Sequence, residues 1–145
     1  MKIQTLRFGT VEIGEDQVIH LPSGLIGFPN QKRYVILEHK KGSPFVWFQS
    51  VDDESVAFVL IDPFLFQPDY EVEVGPEDRK ALGLTEGCDG MQTMAIVTIT
   101  AGDPMEITAN LLGPVVINTL KKTAKQIVLY QFPYSTRTPI PTVRR

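Results

Sequence analysis

The sequence predicts an all-β chain, a small β-barrel-like single domain over residues 1–145 with one short connecting helix at about residues 76–83. Three observations predict it. Short apolar runs alternate with period two, turn residues separate them at intervals of roughly 8 to 12 residues, and a single stretch carries helix start and stop chemistry. At 145 residues with 43% hydrophobic side chains, the chain can bury one core and is too short for two.

Taken in order, Ile3, Leu6, Phe8, Val11 and Ile13 alternate loosely with polar neighbours, and Ile19 and Leu21 alternate against Val18 and His20. The clearer strands are RYVILE (33–38), PFVWFQS (44–50), VAFVLI (56–61), YEVEV (70–74), MAIVTIT (94–100), VVIN (115–118) and QIVLY (126–130). Each is β-branched or aromatic and bounded by turn residues. Turns are expected at IGED (13–16), HKKGSP (39–44), VDDES (51–55), TAGDPM (100–105) and NTLKKTAK (118–125). In GPEDRKALGL, Pro76 suits a first helical position, Glu77 and Asp78 suit the first turn, and Gly83 suits the stop. Gly24 and Gly27 permit positive φ in successive turns, and Gly113-Pro114 should interrupt a strand as a bulge or barrel corner. Asn110 and Asn118 suit local backbone bonding. Residues 132–145, with three prolines, form a tail or an extended strap.

Charge narrows the function. A net charge of -3 argues against direct nucleic-acid binding, which shows as a basic excess on one face. With Cys88 alone there is no disulfide framework and no thiolate cluster for a metal, so a reducing compartment fits. The N-terminal stretch interleaves charges and glycines with its apolar residues, unlike a signal peptide, and runs such as Ala57 to Ile61 fall far short of a membrane span. The expectation is a cytoplasmic protein without cofactor or metal, its oligomeric state open with a monomer favoured.

Between Lys41 and Arg79 every charged residue is an acid, and after Glu106 every one is a base. Such a split implies an anionic face and a separate cationic one. In PDYEVEV, Asp69, Glu71 and Glu73 would share one strand face opposite Tyr70, Val72 and Val74. That face is either solvated or set to meet a basic protein. Asp62 and Asp69, each beside a proline, read as turn residues accepting backbone hydrogen bonds rather than as a catalytic carboxylate pair. His20 and His39 lack a partner at metal-ligand spacing, and the nucleophile-elbow and phosphate-loop patterns are absent from the sequence. Phe45, Trp47, Phe58, Phe64 and Phe66 read mostly as core, although Phe64 and Phe66, flanked by prolines, suit a partly exposed anchor. Lys121 to Lys125 reads as a solvated hairpin tip.

LPSGLIGFPNQKRYVIL (21–37), SPFVWFQSVDD (43–53), AFVLIDPFLFQPDYEVEV (57–74), MAIVTIT (94–100), TANLLGPVVIN (108–118) and YSTRTPI (134–140), in that order, resemble the flagellar assembly factor FliW family. The resemblance implies a non-enzymatic, β-barrel-like cytoplasmic protein that binds flagellin and the RNA-binding translational repressor CsrA. Partner switching would then couple flagellin translation to flagellin export. With that implication, the partner-binding candidates are Asp52, Asp53, Glu54, Phe64, Phe66, Asp69, Tyr70, Glu71 and Glu73. The alternatives are a flagellin chaperone without a translational role and a carboxylate-based hydrolase using Asp52, Asp62, Asp69 and a histidine.

Overall fold

The computed structural model describes residues 1–38, 40–84, 90–100 and 105–141. Among these the strands are β1 (Lys2–Thr5), β2 (Gly9–Glu12), β3 (Ile19–His20), β4 (Arg33–Glu38), β5 (Phe45–Ser50), β6 (Ala57–Ile61), β7 (Met91–Thr100), β8 (Glu106–Asn118), β9 (Thr123–Gln126) and β10 (Thr138–Pro139). One α-helix, α1 (Pro76–Ala81), and 3-10 turns at Glu15–Gln17 and Pro63–Leu65 join them. Strands β8, β7, β6, β5, β4, β3 and β9 pair in that order, and β9 pairs again with β8. Seven strands therefore close into a barrel, which satisfies the edges an open sheet would expose.

Closure depends on a bend in β8. Met94 on β7 faces Val115, whereas Ile96 faces Asn110, so Ala95 alone spans residues 111 to 114 of β8. The bulge sits at Gly113-Pro114, where the sequence led us to expect one. Before it, β8 pairs with β10; after it, with β9. Asn110 Oδ1 accepts from the Gly113 N–H at 2.8 Å, and Gln126 Nε2 donates to the Gly113 carbonyl at 2.8 Å.

The period-two pattern sorts side chains into two layers. Tyr34, Phe48, Leu60, Met94, Val115 and Ile117 face inward with Ile19, Leu21 and Leu25. Tyr34 and Phe48 stack with ring planes 1° apart and centroids at 4.5 Å. The outward face is covered twice. The β1–β2 hairpin lays Ile3 and Ile13 on Val35, and residues 66–84 with the C-terminal segment bury Ala95, Ala109, Leu111 and Val116. Gly24, at φ 65°, lies so close to Phe28 that an added Cβ would collide with its carbonyl oxygen. Glycine is required there by both conformation and space.

β4 matches its expected bounds, and β5 and β6 each start one residue later than expected. The helix also forms as expected, shorter than residues 76–83, with Glu77 and Asp78 in its first turn. YEVEV does not become a strand: residues 70–74 alternate in burial but join no ladder. QIVLY shifts too, since pairing occupies Thr123–Gln126, and VVIN is the end of the much longer β8. Asn118 bonds locally to Leu120 and Lys121 N–H groups and also donates to the Leu82 carbonyl at 2.8 Å, tying the end of the helical segment to the barrel. His39, Cys88 and most of the expected TAGDPM turn lie outside the described residues.

The Tyr34 hydroxyl is buried without a hydrogen-bond partner among the described residues. Tyr34→Phe keeps the stacked ring, so denaturant unfolding at pH 7 should show stability unchanged or raised by about 1 kcal/mol. Burial pushes the hydroxyl up to about 12 from its ordinary 10. The unfolded chain then ionises first, so the contribution is intact below pH 10 and is lost as pH rises toward 12. Wild type should lose stability relative to Tyr34→Phe across that window; parallel curves would contradict the assignment.

Candidate functional site

The first group of candidate residues occupies the β5–β6 turn. Gln49, 1% exposed, turns its amide back into the loop and donates to the carbonyls of Ser50 and Val56 at 3.1 and 3.2 Å. Ser50 Oγ accepts from the N–H groups of Asp52 and Asp53. Within this fixed frame the three acids diverge in role. Asp52 forms a two-pronged ion pair with Arg33 of β4, whose Nε approaches at 3.1 Å. That guanidinium holds the Asp52 carboxyl below its ordinary value. Asp53 accepts from the Ser55 N–H and hydroxyl at 2.9 and 2.7 Å, which lowers its carboxyl as well. Glu54 is exposed and carries the outward charge of the turn.

The second group follows β6. Asp62 caps the 3-10 turn by accepting from the Phe64 N–H at 2.9 Å, the backbone role expected of it. Asp69 departs from that expectation, accepting from the Gln67 side-chain amide at 2.9 Å. Phe64 is exposed, Phe66 is half-buried, and Leu65 between them, a residue the sequence reading passed over, is 64% exposed. Tyr70 needs correction as a surface candidate. It is 4% exposed, and its hydroxyl donates to the Leu111 carbonyl in the β8 bulge at 2.5 Å. Burial, with Tyr134 beside it, raises that hydroxyl above its ordinary value.

With Tyr70 as an anchor, Asp69, Glu71 and Glu73 are exposed while Val72 and Val74 are half-buried. The shared face expected of these acids exists although the strand does not. Instead of a neighbouring strand, the C-terminal segment supports them. Tyr134 lies against Tyr70 with centroids at 4.8 Å, and its hydroxyl accepts from the Glu71 N–H at 2.8 Å. Gln131 Nε2 donates to Glu73 at 3.2 Å. That segment then runs along β8 as a strap, with the Leu111 N–H donating to the Ser135 carbonyl at 3.0 Å and β10 pairing Thr138 with Ala109.

The two acidic groups are not brought together. Phe45 pairs with Ile61 at one end of the β5–β6 hairpin, and Gln49 pairs with Ala57 at the other, nearest the 51–56 turn. Four residue steps along a strand separate these ends by roughly 14 Å. Between them the outer barrel face carries an apolar groove of about 350 Å³ lined by Arg7, Phe45, Trp47, Val59, Ile99 and Ile107. Trp47 and Phe45 are half-buried, Phe45 packing against the outer core cluster, and Arg7 stacks over the Trp47 ring at 4.3 Å. Arg7 and Ile99 were not legible as site residues, because each is an ordinary polar or apolar position in an alternating run.

A hydrolase would need one carboxyl held neutral beside one held ionised. Asp52, one of the carboxylates of that reading, is instead held below its ordinary value by Arg33. His20 is exposed on β3, and no cluster of three metal-ligating side chains occurs among the described residues. No helix among them is long and apolar enough to cross a membrane.

A family model described as FliW protein matches residues 2–140. The chain is 42% identical over 140 residues to the flagellar assembly factor FliW of Natranaerobius thermophilus, covering 97% of this chain and 92% of that one. It is 44% identical over 129 residues to the flagellar assembly factor FliW of Syntrophus aciditrophicus, covering 89% and 80%. A crystal structure of the flagellar assembly factor FliW superposes with a TM-score of 0.87 at 33% identity, covering 96% of each chain.

Tyr70→Phe, unlike Tyr34→Phe, strips a partner from a buried carbonyl. Unfolding should show a loss of about 1–3 kcal/mol. Hydrogen exchange should also quicken at the Glu71 amide; an unchanged rate would mean that the strap holds this segment without Tyr70.

Proposed function

This chain belongs to the FliW family, and on that premise we propose that it is a non-enzymatic, cytoplasmic flagellar assembly factor that binds flagellin and the translational repressor CsrA in alternation. Flagellin accumulation would occupy it and free the repressor; flagellin export would return it to the repressor and relieve the block on translation. The observation that supports this reading best is the exposed run of Asp69, Glu71 and Glu73 on a backbone already braced by Tyr70 and the strap. A surface ordered before contact loses little conformational entropy on binding. Its charge suits a cationic protein partner and repels RNA brought alongside, so one set of carboxylates both attracts the repressor and excludes its messenger.

Glu54 extends the negative surface at the far end of the hairpin, whereas Asp52 is largely neutralised by Arg33. Phe64, Leu65 and the edge of Phe66 supply apolar contact beside the acidic run.

A competition titration tests the reading. Labelled repressor bound to the purified protein should be displaced by flagellin, and target RNA should fail to bind the complex. Glu71→Lys with Glu73→Lys should weaken repressor binding at least tenfold at low salt, about 1.4 kcal/mol, and flatten the salt dependence. Undiminished affinity at low salt removes the run from the interface. Flagellin binding without any repressor binding would leave a chaperone with no translational role.

A further inference from the structure

We propose that the free edge of β7 at Thr98–Thr100, beside Trp47, receives an extended peptide segment of a partner, apolar at alternate positions and acidic where it passes Arg7. The pairing pattern is the first ground. β6 and β7 run together only through Val59–Val97, Leu60–Ile96 and Ile61–Ala95, then part. Beyond that point β7 continues through Thr98, Ile99 and Thr100, paired to β8 on one side and, among the described residues, to nothing on the other. All three residues are exposed.

Natural sheets guard such edges with proline, lysine or a covering segment. The two sides of this hairpin differ in that respect. The β8 edge is covered by β10, where Pro139 faces Thr108 and the Ile140 N–H donates to the Ile107 carbonyl at 3.0 Å. The β7 edge carries Thr-Ile-Thr, a sequence with high strand propensity and no guarding residue.

The floor beside the edge fits side chains from an added strand. Trp47, Val59 and Ile107 give it an apolar surface, and Ile99 is 54% exposed at its margin. A strand laid against β7 would point alternate side chains into this groove while its backbone pairs with residues 98–100. The β1–β2 hairpin bounds the groove through Arg7 and, in the adjoining hollow, Leu6. Arg7 is the charged residue lining the main groove, and its guanidinium, held over Trp47, defines where a carboxylate of the incoming chain would sit. The site is separate from the acidic run at residues 69–73 and stands independently of the function proposed for that run.

Trp47 is the only tryptophan, so its fluorescence reports on the groove directly. The probes are end-blocked decapeptides alternating valine and threonine, with glutamate, glutamine or lysine at one central threonine position. The glutamate peptide should shift Trp47 emission saturably and slow amide exchange at residues 98–100, with the lysine peptide at least tenfold weaker. Ile99→Lys should abolish the response, whereas Leu120→Lys, exposed elsewhere, should leave it intact. No saturable shift or exchange protection at millimolar peptide overturns the proposal. So does equal loss in both variants, or a shift that tracks protein concentration alone, which would mean that a second copy occupies the edge. Because neither flagellin nor repressor is used, failure here leaves the acidic-surface reading untouched.

Discussion

The bulge in β8 is the constraint on which the rest of the molecule depends. A strand that must pair with β10 in its first half and β9 in its second cannot stay straight, and the turn at Gly113-Pro114 makes the change of partner. Such a bulge releases backbone groups from the ladder, and a buried polar group without a partner costs about 1–3 kcal/mol. Here the released groups are each met. The Leu111 and Leu112 N–H groups donate to Ser135, the Leu111 carbonyl receives the Tyr70 hydroxyl, and the Leu112 carbonyl receives the Leu129 N–H. Asn110 and Gln126 serve Gly113, and the Ile127 N–H donates to the Pro114 carbonyl. Barrel closure and surface construction are thereby one problem. Two of the groups that complete the bulge, the Tyr70 hydroxyl and the Ser135 carbonyl, come from the segment carrying the acidic run and from the strap that braces it.

That coupling explains how residues 70–74 keep two distinct faces without a ladder. Their backbone lacks strand neighbours, yet Tyr70 is pinned inward by the bulge, and the Glu71 N–H is met by Tyr134. Val72 and Val74 then pack on the outer barrel face, and the acids between them have only the solvent side left. Three like charges in succession would repel on a flexible loop and let it splay. On a backbone fixed at one end and stitched along its length, the repulsion is instead retained as a property of the surface.

Much of this was legible in the sequence, and the misses have physical reasons. β4 could be bounded to the residue, since a run of β-branched and aromatic side chains ends there at a turn-rich stretch. The helix was legible through Pro76 and Gly83, whose backbone constraints act locally. YEVEV misled because alternation reports an extended backbone and its two faces, and says nothing about whether a partner strand lies alongside. Tyr70 was placed at the surface for a related reason: its burial follows from a carbonyl 41 residues away that only the bulge exposes. Trp47 and Phe45 looked like core because a barrel covered on its outside gives both strand faces apolar character. Which outward positions stay uncovered depends on where the hairpin and strap end, and no local pattern encodes that.

The charge split along the chain also changes meaning once the chain is folded. Read linearly, residues 42–78 are wholly acidic and residues after 106 wholly basic, which suggests two opposed faces. In the fold, partners from outside the acidic stretch cancel part of it: Arg33 takes Asp52, and Lys125 takes Asp78 of α1 at 2.5 Å. Glu54, Asp69, Glu71 and Glu73 take part in neither pair. The long-range field that steers an approaching cation is set by charges left uncompensated, since a close ion pair looks nearly neutral beyond a Debye length of about 8 Å. The effective anionic surface is therefore smaller than the sequence count implies. Rigid support and charge outside these two ion pairs coincide at Glu71 and Glu73, and that coincidence, more than the number of acids, would suit this segment to recognising a folded partner.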